Sequence, residues 1–330
     1  MNKIIFISFC SLFVNMTNLS AQNNKNMKNK NPLICDPTIG SCEVPTQKHL
    51  HNHSVDKNQK LAKPITVIYY TDPICSSCWA IEAQLRKMKL EYGDFIQIEY
   101  HMGGLLPDWS YNSGGISKPS DVAHHWDEVS VYYDMPIDGE VWLTDPLESS
   151  YPPSIAWKAA QIQDEDKAIL FLRKLREFVF LDKKNITKWE HISQAASLVG
   201  LDTTKLKQDY EQTAKQLFEK DLQLGRELGV RGFPTLIFKN EHQQTVTVYG
   251  SKPYQDYINA IHDLMPAVQH KSYNYDWEFL FGQFESLTVK EFAMLSGVER
   301  NQAIQQLNEL TTKGYLVEKT IKNGSIWYKK

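Results

Sequence analysis

The chain has 330 residues, 42% of them hydrophobic, and a formal net charge of −3 at pH 7. That length and apolar content exclude a mini-protein and suggest one elaborated domain with a smaller one. The nearly balanced charge gives no electrostatic reason to expect nucleic acid or an anionic membrane as the main partner.

The first 21 residues have the pattern of an export signal peptide. Lys3 supplies a basic start, residues 4–14 form an apolar run, and small residues at 19–21 offer a cleavage site. The run is too short to cross a bilayer, so we expect no membrane span after signal removal. This pattern predicts a periplasmic or secreted protein, whereas translation from Met27 would give a cytoplasmic one.

Residues 22–62 predict an extended arm without a core of its own, because they are rich in Asn, Lys, His and Pro and lack apolar periodicity. The arm carries Cys35 and Cys42. Two interpretations of this pair remain open. One is a structural disulfide that closes a local loop, and the other is a second redox pair that exchanges electrons with another dithiol.

Three histidines of the arm, His49, His51 and His53, alternate along the chain. An extended backbone would place their imidazoles on one side, which makes them a candidate copper or zinc site. Solvated side chains are the other interpretation. We expect no bound cofactor for the chemistry of the chain.

The elements predicted for residues 63–267 follow the order of a thioredoxin-like α/β fold with a large helical insertion at about 118–228. A β-branched and aromatic strand, a helix that starts at a Cys-x-x-Cys dithiol, and a second strand form a β-α-β unit, which implies a parallel crossover. The predicted strands are 65–70, 95–100, 234–238 and 245–249. The first predicted helix starts at the dithiol and shows apolar periodicity from Trp79 onwards. The other predicted helices are 156–163, 168–180, 192–199, 204–228 and 253–264.

Residues 273–330 predict a small winged-helix-like module of three helices and a hairpin that turns at Asn323-Gly324. Its basic residues are matched by acidic ones, so no basic stripe indicates DNA binding, and protein contact or packing is favoured. The helices are predicted at 277–284, 289–295 and 303–310, and the hairpin at 315–328.

The dithiol Cys75-Ser76-Ser77-Cys78 is the candidate catalytic centre. A thiol attacks a disulfide as the thiolate, and a helix start can lower a cysteine pKa from about 8.5 towards about 3.5 to 7.5. Cys75 is therefore the predicted nucleophile, and Cys78, one turn later and deeper, the resolving thiol. The alternatives are a structural disulfide and half of a zinc site, although Cys35 and Cys42 are spaced more widely than zinc ligands usually are.

A second candidate element is Phe233-Pro234-Thr235, at the start of a predicted strand. A proline that opens a strand can be a simple edge residue. If the Phe233-Pro234 bond is cis, the backbone of Phe233 turns towards the dithiol and can pair with an extended substrate peptide. We assign substrate positioning to these three residues and to Trp79, which directly follows the dithiol.

Two motifs flank the helical insertion: Asp72-Pro73-Ile74-Cys75-Ser76-Ser77-Cys78-Trp79 and Val230-Arg231-Gly232-Phe233-Pro234-Thr235. Together with the insertion they resemble the DsbA-like family, in particular its FrnE-like branch. Residues 101–107 are also similar to the Gly-Gly-Leu segment of that branch. The resemblance covers roughly residues 64–265. It implies a thioredoxin fold, dithiol-disulfide exchange, a cis-proline at Pro234 facing Cys75, and protein or peptide substrates.

The combination of this domain with a small C-terminal helical module is similar to the Spx-adaptor (YjbH-like) family, cytosolic proteins that present a transcription factor to the ClpXP protease. The predicted signal peptide and the cysteine-bearing arm depart from that family. We therefore expect a protein thiol-disulfide oxidoreductase that acts on protein thiols or disulfides together with a redox partner protein. A non-enzymatic protease adaptor or protein-binding module is the alternative.

Overall fold

The computed structural model of the chain describes residues 35–36, 40–43, 63–110 and 117–330. Within this part, no helix combines the length and the apolar character that crossing a membrane requires. Three sequence predictions lie outside the described residues: the signal peptide at 1–21, the alternative start at Met27, and the histidines His49, His51 and His53.

The described residues contain ten strands and thirteen helices. The strands are β1 (Cys35–Asp36), β2 (Ser41–Glu43), β3 (Ile65–Thr71), β4 (Ile96–Met102), β5 (Gly232–Phe233), β6 (Thr235–Asn240), β7 (Thr245–Tyr249), β8 (Ser286–Thr288), β9 (Leu316–Ile321) and β10 (Gly324–Lys329). The helices are α1 (Ser76–Ala80), α2 (Glu82–Tyr92), α3 (Pro119–Tyr133), α4 (Val141–Thr144), α5 (Tyr151–Gln163), α6 (Glu165–Phe180), α7 (Trp189–Leu198), α8 (Thr203–Glu211), α9 (Thr213–Glu227), α10 (Tyr254–Leu264), α11 (Trp277–Gln283), α12 (Val289–Ser296) and α13 (Arg300–Thr312).

The centre of the fold is a four-stranded sheet in the order β4-β3-β6-β7. β3 runs parallel to β4 and antiparallel to β6, and β6 runs antiparallel to β7. The β-branched and aromatic sequence of β3 is buried along almost its whole length, as expected for a central strand covered on both faces. One face of the sheet packs against α2 and α10, and the other packs against the helical insertion. The predicted α/β architecture with a helical insertion is confirmed.

The helix after β3 starts at the dithiol, as predicted. It begins at Ser76 with Cys75 as its N-cap, and a break at Ile81 separates α1 from α2. The capping atom is a sulfur, because Cys75 has an extended backbone and its Sγ accepts the N–H of Cys78 at 3.1 Å. Apolar periodicity cannot detect this first turn, since its two serines are polar and yet completely buried.

The helical insertion contains α3 to α9, and no strand interrupts it between residues 117 and 231. The predicted helix 204–228 divides into α8 and α9 at Gln212, whose backbone angles (φ −114°, ψ −83°) are not helical. The helices α3 and α4 lie outside the helical segments predicted from sequence. Three buried tryptophans of the insertion share one apolar cluster with Trp79 of α1, and these are Trp126, Trp142 and Trp157. The insertion therefore packs directly against the dithiol helix.

The C-terminal module has the expected three helices and hairpin around an apolar cluster of its own. A short strand, β8, which the sequence did not indicate, joins the hairpin in a sheet of order β8-β10-β9. The hairpin turns at Lys322-Asn323, one residue before the predicted position, because Gly324 already pairs with Ile321.

Arg173 on α6 joins the insertion, the dithiol helix and the C-terminal module. Its guanidinium donates two hydrogen bonds of 2.8 and 3.0 Å to Glu291 of α12, and one of 3.0 Å to Glu177. It also lies 4.2 Å from the centre of the Trp79 ring. Glu291 is fully buried and forms a capping box with Thr288 at the start of α12. Three parts of the chain that are distant in sequence therefore meet at one buried cation.

The cluster around Arg173 keeps its charges by mutual pairing. Burial alone would lower the pKa of Arg173, but the nearby glutamates raise it. Burial alone would raise the pKa of Glu291, but Arg173 and Arg86 hold it below its usual range. Removal of one partner would thus leave an uncompensated charge in the interior. The cluster contains the arginines Arg86, Arg173 and Arg176 and the glutamates Glu82, Glu177 and Glu291.

We expect Arg173→Ala to lower the free energy of unfolding by about 3 to 5 kcal/mol, because Glu291 and Glu177 would lose their buried partner. The matched control is Arg300→Ala, which removes another two-pronged contact of the module, with Asp134 at the end of α3. That pair is exposed, so we expect a loss of at most about 1 kcal/mol. Urea unfolding followed by circular dichroism measures both losses, and equal losses would contradict the role assigned to Arg173.

Candidate thiol-disulfide site

Cys75 and Cys78 form a disulfide just beyond the carboxyl end of the central strand β3. Their Cα atoms lie 5.2 Å apart, within the usual range for disulfides. Cys75 stands at the N-cap of α1, and Cys78 lies one turn inside the helix. The two predicted cysteines are therefore placed to alternate between dithiol and disulfide.

Both cysteines of the dithiol are completely buried, which differs from the expectation that Cys78 alone lies deep. The cover over Cys75 is the arm strand β2. The Sγ atoms of Cys42 and Cys75 lie 3.6 Å apart, and the Sγ atom of Cys42 lies 3.5 Å from the hydroxyl of Ser77. That hydroxyl is also 2.7 Å from the hydroxyl of Tyr133 on α3, a contact that sequence reasoning missed.

The prediction that the arm has no core was wrong for β2. Ser41 and Cys42 have no exposed surface, and Cys42 belongs to the main apolar cluster. Backbone pairing holds this strand on both sides, because Cys42 lies opposite Cys35 of β1 and also opposite Phe233 of β5. Such pairing needs little apolar sequence, so composition could not reveal it. Cys42 is itself disulfide-bonded.

The Phe233-Pro234 peptide bond is cis, as expected from the resemblance. β5 is the edge at which the arm strand pairs. The Phe233 ring packs over Gly103, where a Cβ atom would overlap the ring. The hydroxyl of Thr235 donates to the carbonyl of Gly232 at 2.7 Å, which fixes the turn into β6. Phe233 belongs to the same apolar cluster as Cys42 and Cys75.

Trp79 contacts the helical insertion. Its Nε1 donates to the carbonyl of Pro136 at 3.1 Å, and its ring stacks on Phe180 with centroids 5.7 Å apart. The side chain is completely buried. These contacts fix α1 against the insertion, and a role of Trp79 in substrate positioning stays a prediction.

Asp72, which belongs to the motif that contains the dithiol, is a further candidate functional residue. One carboxylate oxygen accepts the N–H of Ile74 at 3.0 Å. The other accepts the N–H of Leu105 and the hydroxyl of Ser150, each at 2.8 Å. Complete burial raises the pKa of Asp72 to about 6, although these donors act in the opposite direction. Its position three residues before Cys75 was the only signal in the sequence.

Within the part of the chain that the structure describes, no group of three or more His, Cys, Asp or Glu side chains is placed to hold a metal ion. The cysteines Cys42, Cys75 and Cys78 are all disulfide-bonded, and a disulfide sulfur is not the thiolate that zinc binds.

Comparison with known proteins places the chain in a family. A family model described as thioredoxin matches residues 69–259. The ClpXP adapter protein SpxH of Halalkalibacterium halodurans is 33% identical over 304 residues, which are 90% of this chain and 97% of that protein. The chain belongs to the thioredoxin family and to the SpxH family. The SpxH protein of Bacillus subtilis is 26% identical over 84% of the chain and 91% of its own length.

Solved structures show the same fold at low sequence identity. A putative protein disulfide isomerase from Nitrosomonas europaea superposes with a TM-score of 0.51 at 20% identity, covering 62% of this chain and 97% of that one. The cytosolic disulfide reductase DsbM from Pseudomonas aeruginosa superposes with a TM-score of 0.50 at 18% identity, covering 60% and 99%. The thioredoxin-like fold predicted from the sequence is therefore confirmed.

The buried carboxyl of Asp72 makes stability depend on pH. Its pKa is about 6 in the folded chain and has its ordinary value of 3.8 in an unfolded one. Between these values the folded chain alone holds the proton, so the contribution of Asp72 to stability falls as the pH rises from about 4 to about 6. The fall amounts to about 2 to 3 kcal/mol and persists above pH 6.

We expect wild type to lose stability relative to Asp72→Asn as the pH rises from about 4 to about 7, because the variant has no carboxyl to ionise. Urea unfolding across this range measures the difference. Asp263→Asn is the control, since it removes an exposed carboxyl from α10 and no buried charge. Parallel pH curves for wild type and Asp72→Asn would show that the buried carboxyl does not titrate in this way.

Proposed function

We propose that the chain exchanges thiols and disulfides with cysteines of protein or peptide substrates, with Cys75 as nucleophile and Cys78 as resolving thiol. The observation that carries the proposal is the placement of Cys75. Its sulfur caps α1, accepts the N–H of Cys78, and can bond covalently to Cys78. A donor at this position would also stabilise a thiolate in the reduced centre.

The exchange reaction follows from this geometry. The thiolate of Cys75 attacks one sulfur of a substrate disulfide, the new bond forms at Cys75, and the displaced substrate sulfur takes up a proton. The thiolate of Cys78 then attacks the sulfur of Cys75 and releases the second substrate sulfur. Two electrons have passed to the substrate, and the reverse sequence oxidises a substrate dithiol. A redox partner protein would then reduce the Cys75–Cys78 disulfide, or oxidise the dithiol after the reverse reaction, and so restore the starting state.

The edge strand β5 supports the assignment of a substrate groove. An extended segment, β2, already pairs antiparallel with Gly232 and Phe233 and brings a cysteine beside Cys75. A substrate peptide that adds a strand to the same edge would place its own cysteine there. We assign this alignment to Phe233, Pro234 and Thr235.

Replacement of the two cysteines tests the proposal. We expect Cys75→Ser to reduce catalysed insulin reduction to the uncatalysed rate, because the attacking sulfur is gone. Cys78→Ser should instead accumulate a mixed disulfide between Cys75 and the substrate, detectable by mass spectrometry. Asp263→Asn is the control, since it changes an exposed side chain of α10 and no cysteine. Undiminished turnover in a folded Cys75→Ser protein would refute the enzymatic proposal.

A second candidate function is that of an adaptor that presents a protein to the ClpXP protease. The observation that favours it is the extent of the relationship to the SpxH proteins. A match over 90% of the chain must reach into the C-terminal module, which the buried pairs of Arg173 fix against the dithiol helix. A binding role of this kind would not require thiol chemistry.

The two functions predict different behaviour for a chain without the dithiol: thiol exchange is lost, whereas an adaptor still binds its partner. For an adaptor, we expect the double variant Cys75→Ala, Cys78→Ala to bind the ClpX unfoldase as tightly as wild type in a pull-down or titration. Arg300→Ala, on the exposed side of the module, is a useful companion because it perturbs the module and leaves the dithiol intact. Absence of binding by wild type would exclude the adaptor function.

A further inference from the structure

The strand that covers the dithiol comes from the chain's own arm, and it brings a cysteine. We propose that this arm is an internal substrate of the dithiol, so that Cys42 and Cys75 exchange disulfides within one molecule. The inference rests on the proposed function of Cys75, and it names Cys42 as the cysteine with which Cys75 exchanges a disulfide. Of the two roles left open for Cys35 and Cys42 by the sequence, it selects the second redox pair.

The backbone places Cys42 where a substrate cysteine would lie. β2 pairs antiparallel with β5, with Cys42 opposite Phe233, and the two sulfur atoms of Cys42 and Cys75 are 3.6 Å apart. A disulfide that merely closes a loop in the arm would not require burial against the dithiol. Cys42 instead has no exposed surface and shares the apolar cluster of Cys75.

Two glycines, one in the arm and one in β5, allow the close backbone contacts of the arm strand. A Cβ atom at Gly232 would lie 2.5 Å from the carbonyl of Cys42 and 2.8 Å from the hydroxyl of Ser41. Gly40 has a φ of +67°, and a Cβ there would overlap the backbone of Ser251, whose N–H donates to the Gly40 carbonyl. The arm strand is therefore anchored at two separate places in the second half of the fold.

The pairing of β1 with β2 places Cys35 opposite Cys42. The two residues lie directly opposite each other in the antiparallel β1–β2 pair, where Cα atoms are about 4.5 to 5.5 Å apart, a separation that a disulfide can bridge. Cys42 is disulfide-bonded. We take Cys35 as its partner in the oxidised arm.

The relay step balances within these four cysteines. With the centre reduced and the arm oxidised, the Cys75 thiolate attacks the sulfur of Cys42, the Cys75–Cys42 bond forms, and Cys35 leaves and takes up a proton. Cys78 then attacks Cys75 and displaces Cys42, which is protonated in turn. Two electrons move from the centre to the arm, and no other reactant takes part. The complete burial of Cys75 gives this internal partner first access to it.

The test traps the intermediate in the full chain. In a Cys10→Ser background, the double variant Cys35→Ser, Cys78→Ser leaves Cys42 and Cys75 as the only thiols. In a glutathione redox buffer we expect these two to form an intramolecular disulfide, identified by mass spectrometry of unreduced peptides. The matched control adds Ser41→Cys and Cys42→Ser, which moves the arm thiol by one residue to the opposite face of the strand. Cross-linking should then fall at least about tenfold.

Absence of the Cys42–Cys75 bond, or equal cross-linking by the shifted thiol, overturns the relay. The same sample separates this failure from failure of the proposed function. If Cys75 still forms a mixed disulfide with glutathione, the thiol chemistry stands and the internal relay alone falls. If Cys75 is inert to glutathione as well, both fall.

Gly40→Ala in the trap variant tests whether docking of the arm positions Cys42. The left-handed backbone at Gly40 and the overlap with Ser251 should displace β2, so we expect cross-linking to drop at least about tenfold. Gly314→Ala is the control, because Gly314 has a similar φ of +78° but nothing within 4 Å of an added Cβ. An unchanged yield in Gly40→Ala would show that the proximity does not depend on the docked strand.

Discussion

The buried guanidinium of Arg173 is the interaction on which the arrangement of the chain depends. It binds Glu291 of the C-terminal module and Glu177 of its own helix, and it covers the ring of Trp79 beside the dithiol. A charge in the interior is tolerated only when its partners are present, so the three segments can bury these groups only together. The module is thereby coupled to the dithiol helix and is more than an appended tail.

The dithiol is enclosed by three different parts of the chain. The start of α1 supplies Cys75, the helical insertion packs on Trp79, and the arm strand β2 places Cys42 3.6 Å from the sulfur of Cys75. A peptide that adds a strand to a sheet needs an open edge with unpaired backbone groups. Here the arm occupies that edge. Access of a substrate to Cys75 therefore depends on the position of the arm, whose Cys42 sulfur lies 3.6 Å from the sulfur of Cys75.

The chain is similar to two kinds of protein. Its relatives over nearly the whole length are SpxH adapter proteins, whereas the solved structures that share its fold include a disulfide reductase. The two relationships cover different parts of the chain. The likeness to the solved structures covers about 60% of the chain, whereas the match to SpxH of Halalkalibacterium halodurans covers 90% and so reaches into the C-terminal module.

The sequence by itself determined the fold and the position of the dithiol, because the β-branched strands, the Cys-x-x-Cys spacing and the Phe233-Pro234-Thr235 motif are local patterns. It also determined most helices of the insertion, since each buries one apolar face. Only the tertiary structure decided that Cys42 lies against Cys75, that Asp72 is buried, and that Arg173 pairs with Glu291. These contacts join residues far apart in sequence through backbone pairing and buried charge, and neither leaves a periodic pattern. The arm is the clearest case: its composition indicates a solvated segment, yet a few residues of backbone pairing are enough to place it on the dithiol.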